Sequence, residues 1–327
     1  NNTKSVQWVQ STWAGIEPLC SAGLRNDYLL TGVKDVFGPL MSEYVFGYIL
    51  ARERNIFETY RNQMKCRWEP ISYRGLNGLK LGLIGTGSIG RHVAGTARHF
   101  GMSVYGMKRS PGAVEGIERV FLPDERADFL PRLDYLVIVL PDTVDTRNFI
   151  TRSDLELMKD SAVLVNVGRG SSIREEDLII GLQEKMIGGA ILDVFAEEPL
   201  PADSPLWSME NVLVSPHNSA FSFPRQITSI FCENFKRFQA GKVLSHLVEF
   251  DRSYTTPTPV GDGARDTPVV AGPSLEDYTD LQEENAGSLG VVYRARELAT
   301  GRIVAIKMLR PEREMDEFAV AHFLREM

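Results

Sequence analysis

At 327 residues the chain is long enough for two or three domains, each with a core of its own. Acidic residues outnumber basic ones, 43 to 36, which argues against a nucleic-acid footprint or a polybasic membrane patch. No apolar run approaches the ~18 residues of a transmembrane helix, so no membrane partner is expected.

The three cysteines (Cys20, Cys66, Cys232) are scattered, odd in number and without metal-ligand spacing. They predict thiols packed as small apolar groups in a reducing, cytoplasmic setting, and no metal site. The chain starts Asn1-Asn2-Thr3-Lys4, without an initiator Met or a signal-peptide pattern, and reads as beginning in mid-protein.

In chain order, residues 6–10 read as a strand, 11–16 as the loop leaving it and 28–31 as a second strand. From Pro39 the pattern predicts one helix of about 25 residues, with Met41, Val45, Tyr48 and Ile49 on its apolar stripe. Trp68, Glu69 and Pro70 close that section. Two strands and one helix cannot bury a sheet alone, so either further N-terminal strands or a later return of the chain is required.

The stretch 79–110 organises the chain. Residues 79–84 are an apolar run of strand length, followed by Gly85-Thr86-Gly87-Ser88-Ile89-Gly90. Apolar residues at Ile89, Val93, Ala97 and Phe100 then keep a helical spacing, and 103–107 reads as the next strand. GxGxxG between a strand and a helix is a dinucleotide fingerprint. Gly85 permits the tight turn, Gly87 lets backbone approach a pyrophosphate, and Gly90 lets helix pack closely on strand. The helix start at Ser88 and Ile89 offers free N–H groups and a positive dipole end. A glycine turn in a ligand-free sheet is the competing interpretation.

Cofactor choice is read at the end of the second strand, where NAD-specific folds place an acid for the ribose 2′-OH. Here the sequence is Met107-Lys108-Arg109-Ser110-Pro111, and no acid appears until Glu115. A 2′-phosphate would find Lys108, Arg109 and the Ser110 hydroxyl, which favours NADP over NAD; a basic surface turn is the alternative.

Residues 135–140 form a continuous apolar run, as in a parallel strand buried on both faces, with Pro141 at its C-terminal end. A second such run, 162–167, ends in Gly168-Arg169-Gly170; a helix at 175–185 and a strand at 189–193 follow. Residues 212–215 lead into Pro216-His217-Asn218. Strand ends therefore deliver Arg169, Asp193 and His217, with Glu198 in the loop between the last two.

The loop WAGIEPL, the helix segment SEYVFG and the run LKLGLIGTGSIG together resemble the D-isomer-specific 2-hydroxyacid dehydrogenases, looking closest to their glyoxylate/hydroxypyruvate reductase branch. The resemblance covers residues 6–254. It implies reduction of a small 2-oxo acid to the D-2-hydroxy acid, with hydride from the nicotinamide and a proton from His217. Arg169 in NVGRG, Glu198 in EEPLP and His217 in SPH match the family's catalytic residues. Asp193 in LDVF matches the acceptor for the nicotinamide carboxamide. The chemistry agrees. A guanidinium pairs with an acid and polarises the adjacent ketone, and an imidazole is the side chain suited to protonate the alkoxide near neutral pH.

By the same resemblance, the Ala14 and Gly15 backbone N–H groups hold the substrate carboxylate, although spacing alone reads Gly15 as an ordinary loop glycine. The helix at 221–241, with Ile227, Ile230, Phe231, Phe235 and Phe238, returns to the substrate domain, and VEFDRSY resembles the usual terminus. Family members carry additional strands ahead of the N-terminal segments at residues 6–31, so the resemblance implies an N-terminally truncated substrate domain. A homodimer is implied where that domain is complete.

Residues 255–274 are rich in Thr, Pro and Gly and read as a linker. Beyond it, AGSLGVVYRAR and IVAIK resemble the N-lobe of a protein kinase of the cyclin-dependent type. Gly287 and Gly290 stand in the glycine hairpin, Lys307 is the VAIK lysine, and Glu326 stands where its partner would be. Asn285 replaces the first glycine, and no HRD or DFG motif follows. This segment is either a residual nucleotide- or partner-binding module or a passenger of gene fusion, and no kinase activity is expected.

The fold class expected is thus α/β: a Rossmann-type doubly wound parallel sheet, an incomplete second α/β substrate domain and a small β-rich kinase-like appendage. The expected segments are 1–37 (substrate-domain remnant), 38–73 (interdomain helix and connection), 74–220 (nucleotide domain), 221–254 (return helix), 255–276 (linker) and 277–327 (partial kinase N-lobe). The competing functional reading is a truncated or fused non-enzyme that keeps only dinucleotide binding.

Overall fold

The computed structural model describes residues 6–13, 15–20, 24, 26–250, 254–255, 278–286, 290–297 and 303–309. The chain divides into two compact units, Asn1–Pro259 and Val260–Met327.

The first unit opens with β1 (Trp8–Gln10) and β2 (Leu29–Thr31), a parallel pair in register Trp8 to Leu29. Two helices follow, α1 (Gly38–Glu53) and α2 (Ile56–Met64). The single long helix expected from Pro39 is therefore corrected to two. Asn55 takes a left-handed φ of 51° and ends the helical run, a conformation Asn tolerates better than most residues.

Next come β3 (Lys80–Ile84), α3 (Ser88–His99), β4 (Ser103–Met107) and β5 (Arg119–Phe121). The chain continues through α4 (Arg126–Phe129), β6 (Tyr135–Ile138), α5 (Arg152–Leu157), β7 (Val163–Asn166), α6 (Glu175–Gln183), β8 (Gly189–Leu192) and β9 (Val212–Val214). Strands β3 to β9 form one seven-stranded sheet in the order β5-β4-β3-β6-β7-β8-β9, every pair parallel. The order reverses between β3 and β6, and ligands of open α/β sheets bind outside the carboxyl ends of the strands at such a point.

Alternation along each strand splits the core into two layers. Leu81, Leu83, Tyr135, Val137, Val163 and Val165 pack with Val45 and Ile49 of α1 and Val93 and Ala97 of α3. Leu136, Ile138, Leu164 and Leu192 pack on the opposite face with Phe129, Leu155, Leu178 and Leu182. Both faces are covered, which is why these strands read as unbroken apolar runs.

After β9, α7 (Pro224–Gln239) and β10 (Val248–Glu249) lead the chain back to β1 and β2; β11 (Tyr254–Thr255) pairs antiparallel with β10. Trp8 stacks on Phe231 and Phe238 of α7 with ring centroids 5.4 and 5.6 Å apart. Ile16, Leu30 and Val248 bury together, and Thr31 bridges to Leu247. The small sheet thus uses a later return of the chain, one of the two solutions its size demanded. Helix α7 begins at Pro224 rather than 221, and Phe231 and Phe235 stay partly exposed on it. Cys66, expected as a packed apolar group, is exposed and corrects that reading; Cys20 and Cys232 are partly buried.

In the second unit β12 (Tyr278–Ala286), β13 (Gly290–Glu297) and β14 (Ile303–Leu309) form an antiparallel meander. Gly290 opens β13 opposite Leu309, and Lys307 pairs in register with Val292. Ala14, Gly287 and Glu326 lie outside the described residues, as does the expected linker apart from Thr255. Among the described residues no helix is long and apolar enough to cross a membrane.

Candidate active site

The turn between β3 and α3 is built by glycines for steric reasons. Gly85 has φ +100°, and a Cβ there would meet the Val139 carbonyl oxygen at 2.5 Å. A Cβ on Gly90 would lie 2.3 Å from the Gly85 carbonyl oxygen. Around Gly87 no atom beyond its own chain neighbours falls within 4 Å of the Cβ position, so that side of the loop is open. Helix α3 has Gly87 as its N-cap and no side-chain cap, leaving the first amides, Ser88 and Ile89 among them, for an anion. A dinucleotide pyrophosphate fits this cradle.

On one side of it lies the turn after β4. The Lys108 amide donates to the Phe121 carbonyl at 3.1 Å, while Arg109 and Ser110 are exposed. Arg109 Nη1 reaches Asp145 Oδ2 at 3.2 Å, so an exposed ion pair joins the loops after β4 and β6. Pro141 lies in the second of these loops, its carbonyl accepting from Thr146 Oγ1. Asp142 beside it accepts from both Arg147 and Ser171, and the Arg147 hydrogen bond, foremost, holds its carboxyl below the usual range.

At the end of β7, Arg169 sits between two glycines that admit no side chain. A Cβ on Gly168 would lie 2.6 Å from the Leu140 amide nitrogen, and one on Gly170 1.9 Å from the Phe195 carbonyl carbon. The Arg169 carbonyl accepts from Asn166 Nδ2 and Ser172 Oγ at 3.0 and 2.7 Å, and its Nη1 donates to the Gly168 carbonyl at 2.8 Å. The backbone carrying the guanidinium is therefore fixed on both sides.

At the ends of β8 and β9 the side chains couple tightly. His217 Nδ1 lies 2.7 Å from Glu198 Oε2, and Glu198 Oε1 accepts from the Phe195 amide at 3.0 Å. A carboxylate only accepts, so Nδ1 carries the proton and Nε2 is left for exchange with a reactant. His217 is itself in a left-handed conformation, φ 51°, uncommon for a residue with a side chain. Asp193 is fully buried and accepts from Ser215 Oγ at 2.6 Å and from the amides of Asn218 and Ser219 at 2.9 Å each.

Arg169, Asp193 and His217 thus end three adjacent strands at the sheet edge that also bears the glycine loop. Gly15 follows β1 on the small sheet. Sequence reasoning passed over Ser215, Asn218, Ser219, Asp142 and the packing of Gly168 and Gly170. The glycine pair flanking Arg169 was a usable signal; the Ser215 hydroxyl was not.

Residues 46–219 match the family "D-isomer specific 2-hydroxyacid dehydrogenase, NAD binding domain". Glyoxylate/hydroxypyruvate reductase A of Escherichia fergusonii is 31% identical over 258 residues, 77% of this chain and 83% of that protein. A D-isomer specific 2-hydroxyacid dehydrogenase family protein from Aeromonas salmonicida superposes with a TM-score of 0.73 at 45% identity, covering 75% of this chain and 79% of that one. The NADPH-dependent glyoxylate/hydroxypyruvate reductase of Sinorhizobium meliloti, solved with NADP and sulfate, gives a TM-score of 0.70 at 30% identity, covering 76% and 80%. Family match, identity and superposition agree with the glycine loop and the polar sheet edge, and the chain belongs to the D-isomer specific 2-hydroxyacid dehydrogenases, a family of NAD(P)-dependent oxidoreductases.

Proposed function

We propose that the chain reduces a small 2-oxo acid of the glyoxylate/hydroxypyruvate class to the D-2-hydroxy acid, with NADPH preferred to NADH. The observation that carries this reading is the His217–Glu198 pair, 2.7 Å apart, at the same sheet edge as Arg169 and the open glycine loop.

Gly85, Gly87, Ser88, Ile89 and Gly90 receive the pyrophosphate, Lys108, Arg109 and Ser110 the 2′-phosphate, and Pro141 and Asp193 border the nicotinamide half. The bound cofactor supplies the hydride. Arg169 pairs with the substrate carboxylate and polarises the neighbouring carbonyl, and the Ala14 and Gly15 amides complete the carboxylate's donors. Glu198 accepts from Nδ1 and fixes the imidazole, so that Nε2 delivers a proton to the oxygen that becomes alkoxide. NADP or NADPH in the related structures from Xanthobacter autotrophicus and Sinorhizobium meliloti, together with the basic turn here, supports the cofactor preference.

In this reading 74–220 is the nucleotide domain, 38–73 the connection, and 1–37 with 221–254 the substrate side, in a cytoplasmic protein. The exposed apolar residues Ile56, Phe57, Tyr60 and Met64 along α2 suit burial against a second copy. The meander at 278–309, the kinase-like stretch, takes no part in the reduction, and the intact chain carries out no phosphotransfer. Steady-state assays of the intact protein with glyoxylate, hydroxypyruvate and larger 2-oxo acids test the function. Turnover with the two small acids, faster with NADPH, is expected. Tight NADPH binding without turnover would instead establish the non-enzyme reading.

A further inference from the structure

We propose that Tyr44, on α1 and 171 residues from its partner in sequence, is a positioning residue for His217, acting through Ser215 and Asp193. The proposal rests on the reading of His217 as the proton donor. The Tyr44 hydroxyl lies 2.5 Å from Ser215 Oγ, which lies 2.6 Å from Asp193 Oδ1.

Counting protons orients this chain. The Asp193 carboxylate can only accept, so the single Ser215 hydroxyl proton points at it. The Tyr44 phenol must then be the donor to Ser215. Burial, before any other cause, pushes the phenol far above its ordinary range, so it keeps that proton at every working pH. The sequence of bonds is fixed: Tyr44 to Ser215 to Asp193.

Asp193 in turn grips the loop that carries His217. Its carboxylate takes the amides of Asn218 and Ser219, and its carbonyl takes the amide of His217 at 2.9 Å. These bonds oppose the left-handed strain at His217, φ 51°. If the carboxylate turns, the two amides that follow that strained residue lose their acceptor, and the imidazole loses its register with Glu198. Tyr44 sits on a rigid support. Its neighbour Val45 and Ile49, one turn on, are buried against the sheet, and its ring lies 4.6 Å from that of Tyr48. Chains of hydrogen bonds ending on a buried carboxylate polarise one another, so loss of the first donor weakens the rest.

The test uses the intact protein with Tyr44→Phe, Ser215→Ala and the double variant. Turnover, NADPH affinity and the hydrogen-exchange rates of the Asn218 and Ser219 amides are measured for each. Tyr44→Phe should lower kcat about tenfold, as expected for one lost buried hydrogen bond, and speed exchange at both amides. NADPH affinity should stay within about twofold, a split that general loosening of the fold would not give. The double variant should be no worse than Ser215→Ala, because both changes cut one chain. Unchanged kcat and exchange in Tyr44→Phe, or losses that multiply in the double variant, would overturn the proposal. If the wild-type chain shows no reductase turnover, the proposed function falls, and the exchange rates alone then decide whether Tyr44 holds the loop.

Discussion

The two edges of the seven-stranded sheet both bury a carboxylate, and they use it differently. At the amino-terminal edge Glu53 accepts from Nε and Nη2 of Arg74, at 2.7 and 2.9 Å, and from the hydroxyl of the wholly buried Tyr135, which opens β6. Arg52 beside it donates to the Gly188 carbonyl, just ahead of β8, and Asp134 holds Lys159 and the Lys80 amide. These contacts tie α1 and strand starts together with charges that answer one another. At the carboxyl-terminal edge Asp193 has only neutral donors, a serine hydroxyl and two loop amides. The first arrangement fastens rigid elements; the second fastens a strained loop bearing His217. The amino-terminal edge pairs charge with charge, whereas at the carboxyl-terminal edge a buried carboxylate holds the loop that carries His217.

Exchanging each carboxylate for its amide separates the two roles. Asp193→Asn puts an N–H where three donors converge, and kcat for oxo-acid reduction should fall on the order of 10²-fold, comparable to loss of one key polar group in an active site. A melting temperature measured alongside should move little by comparison. Arg169→Lys comes next. An ammonium cannot reproduce the paired geometry of a guanidinium, so kcat/KM should drop roughly 30-fold. Wild-type kinetics in either variant would erase the distinction between the edges.

Glu53→Gln should do the reverse, costing about 2 kcal/mol of stability with kcat intact, since the amide removes the charge that Arg74 answers and keeps one acceptor oxygen where Arg74 and Tyr135 together use two. Burial works against the Glu53 carboxylate, but its bonds from Arg74 and Tyr135 prevail and hold its carboxyl below the ordinary value of 4.5. A lowered native value means the contribution is present above that ordinary value and is withdrawn as pH falls through the native one. Denaturation curves of wild type and Glu53→Gln should therefore converge below pH 4.5 and separate above it. A gap that is the same at every pH would contradict the assignment.

The smallest effect is expected at the cofactor's phosphate. Arg109 is exposed and already paired with Asp145, so Arg109→Asp should narrow the NADPH preference by about tenfold or less. Fluorescence titration with both cofactors measures it, and equal affinities in the wild type would remove Lys108 and Arg109 from the site.

Much of the carboxyl-terminal edge could be read from the chain alone, because its parts are local. The glycine loop declares itself between a strand and a helix, and β6, β7 and β8 belong to apolar runs that stop at Pro141, Gly168 and Asp193. The break at Asn55 was hidden. No Gly or Pro marks it, and the residues on both sides are good helix formers. Strand β5 was hidden as well, being three residues long with a charged first position. The Tyr44–Ser215–Asp193 chain could not be seen at all, since a serine beside a strand end carries no pattern and its partner lies on another layer of the fold. Local chemistry shows in sequence; hydrogen bonds between distant elements require the packed structure.

In the proposed reaction His217, held by Glu198, delivers the proton during reduction. Single-turnover oxidation of NADPH by hydroxypyruvate, compared between wild type and His217→Ala with cofactor affinity measured in the same samples, tests it most directly. A loss on the order of 10²–10⁴ in the rate of the chemical step is expected, with NADPH affinity unchanged. A His217→Ala protein that oxidises NADPH at the wild-type rate would contradict it.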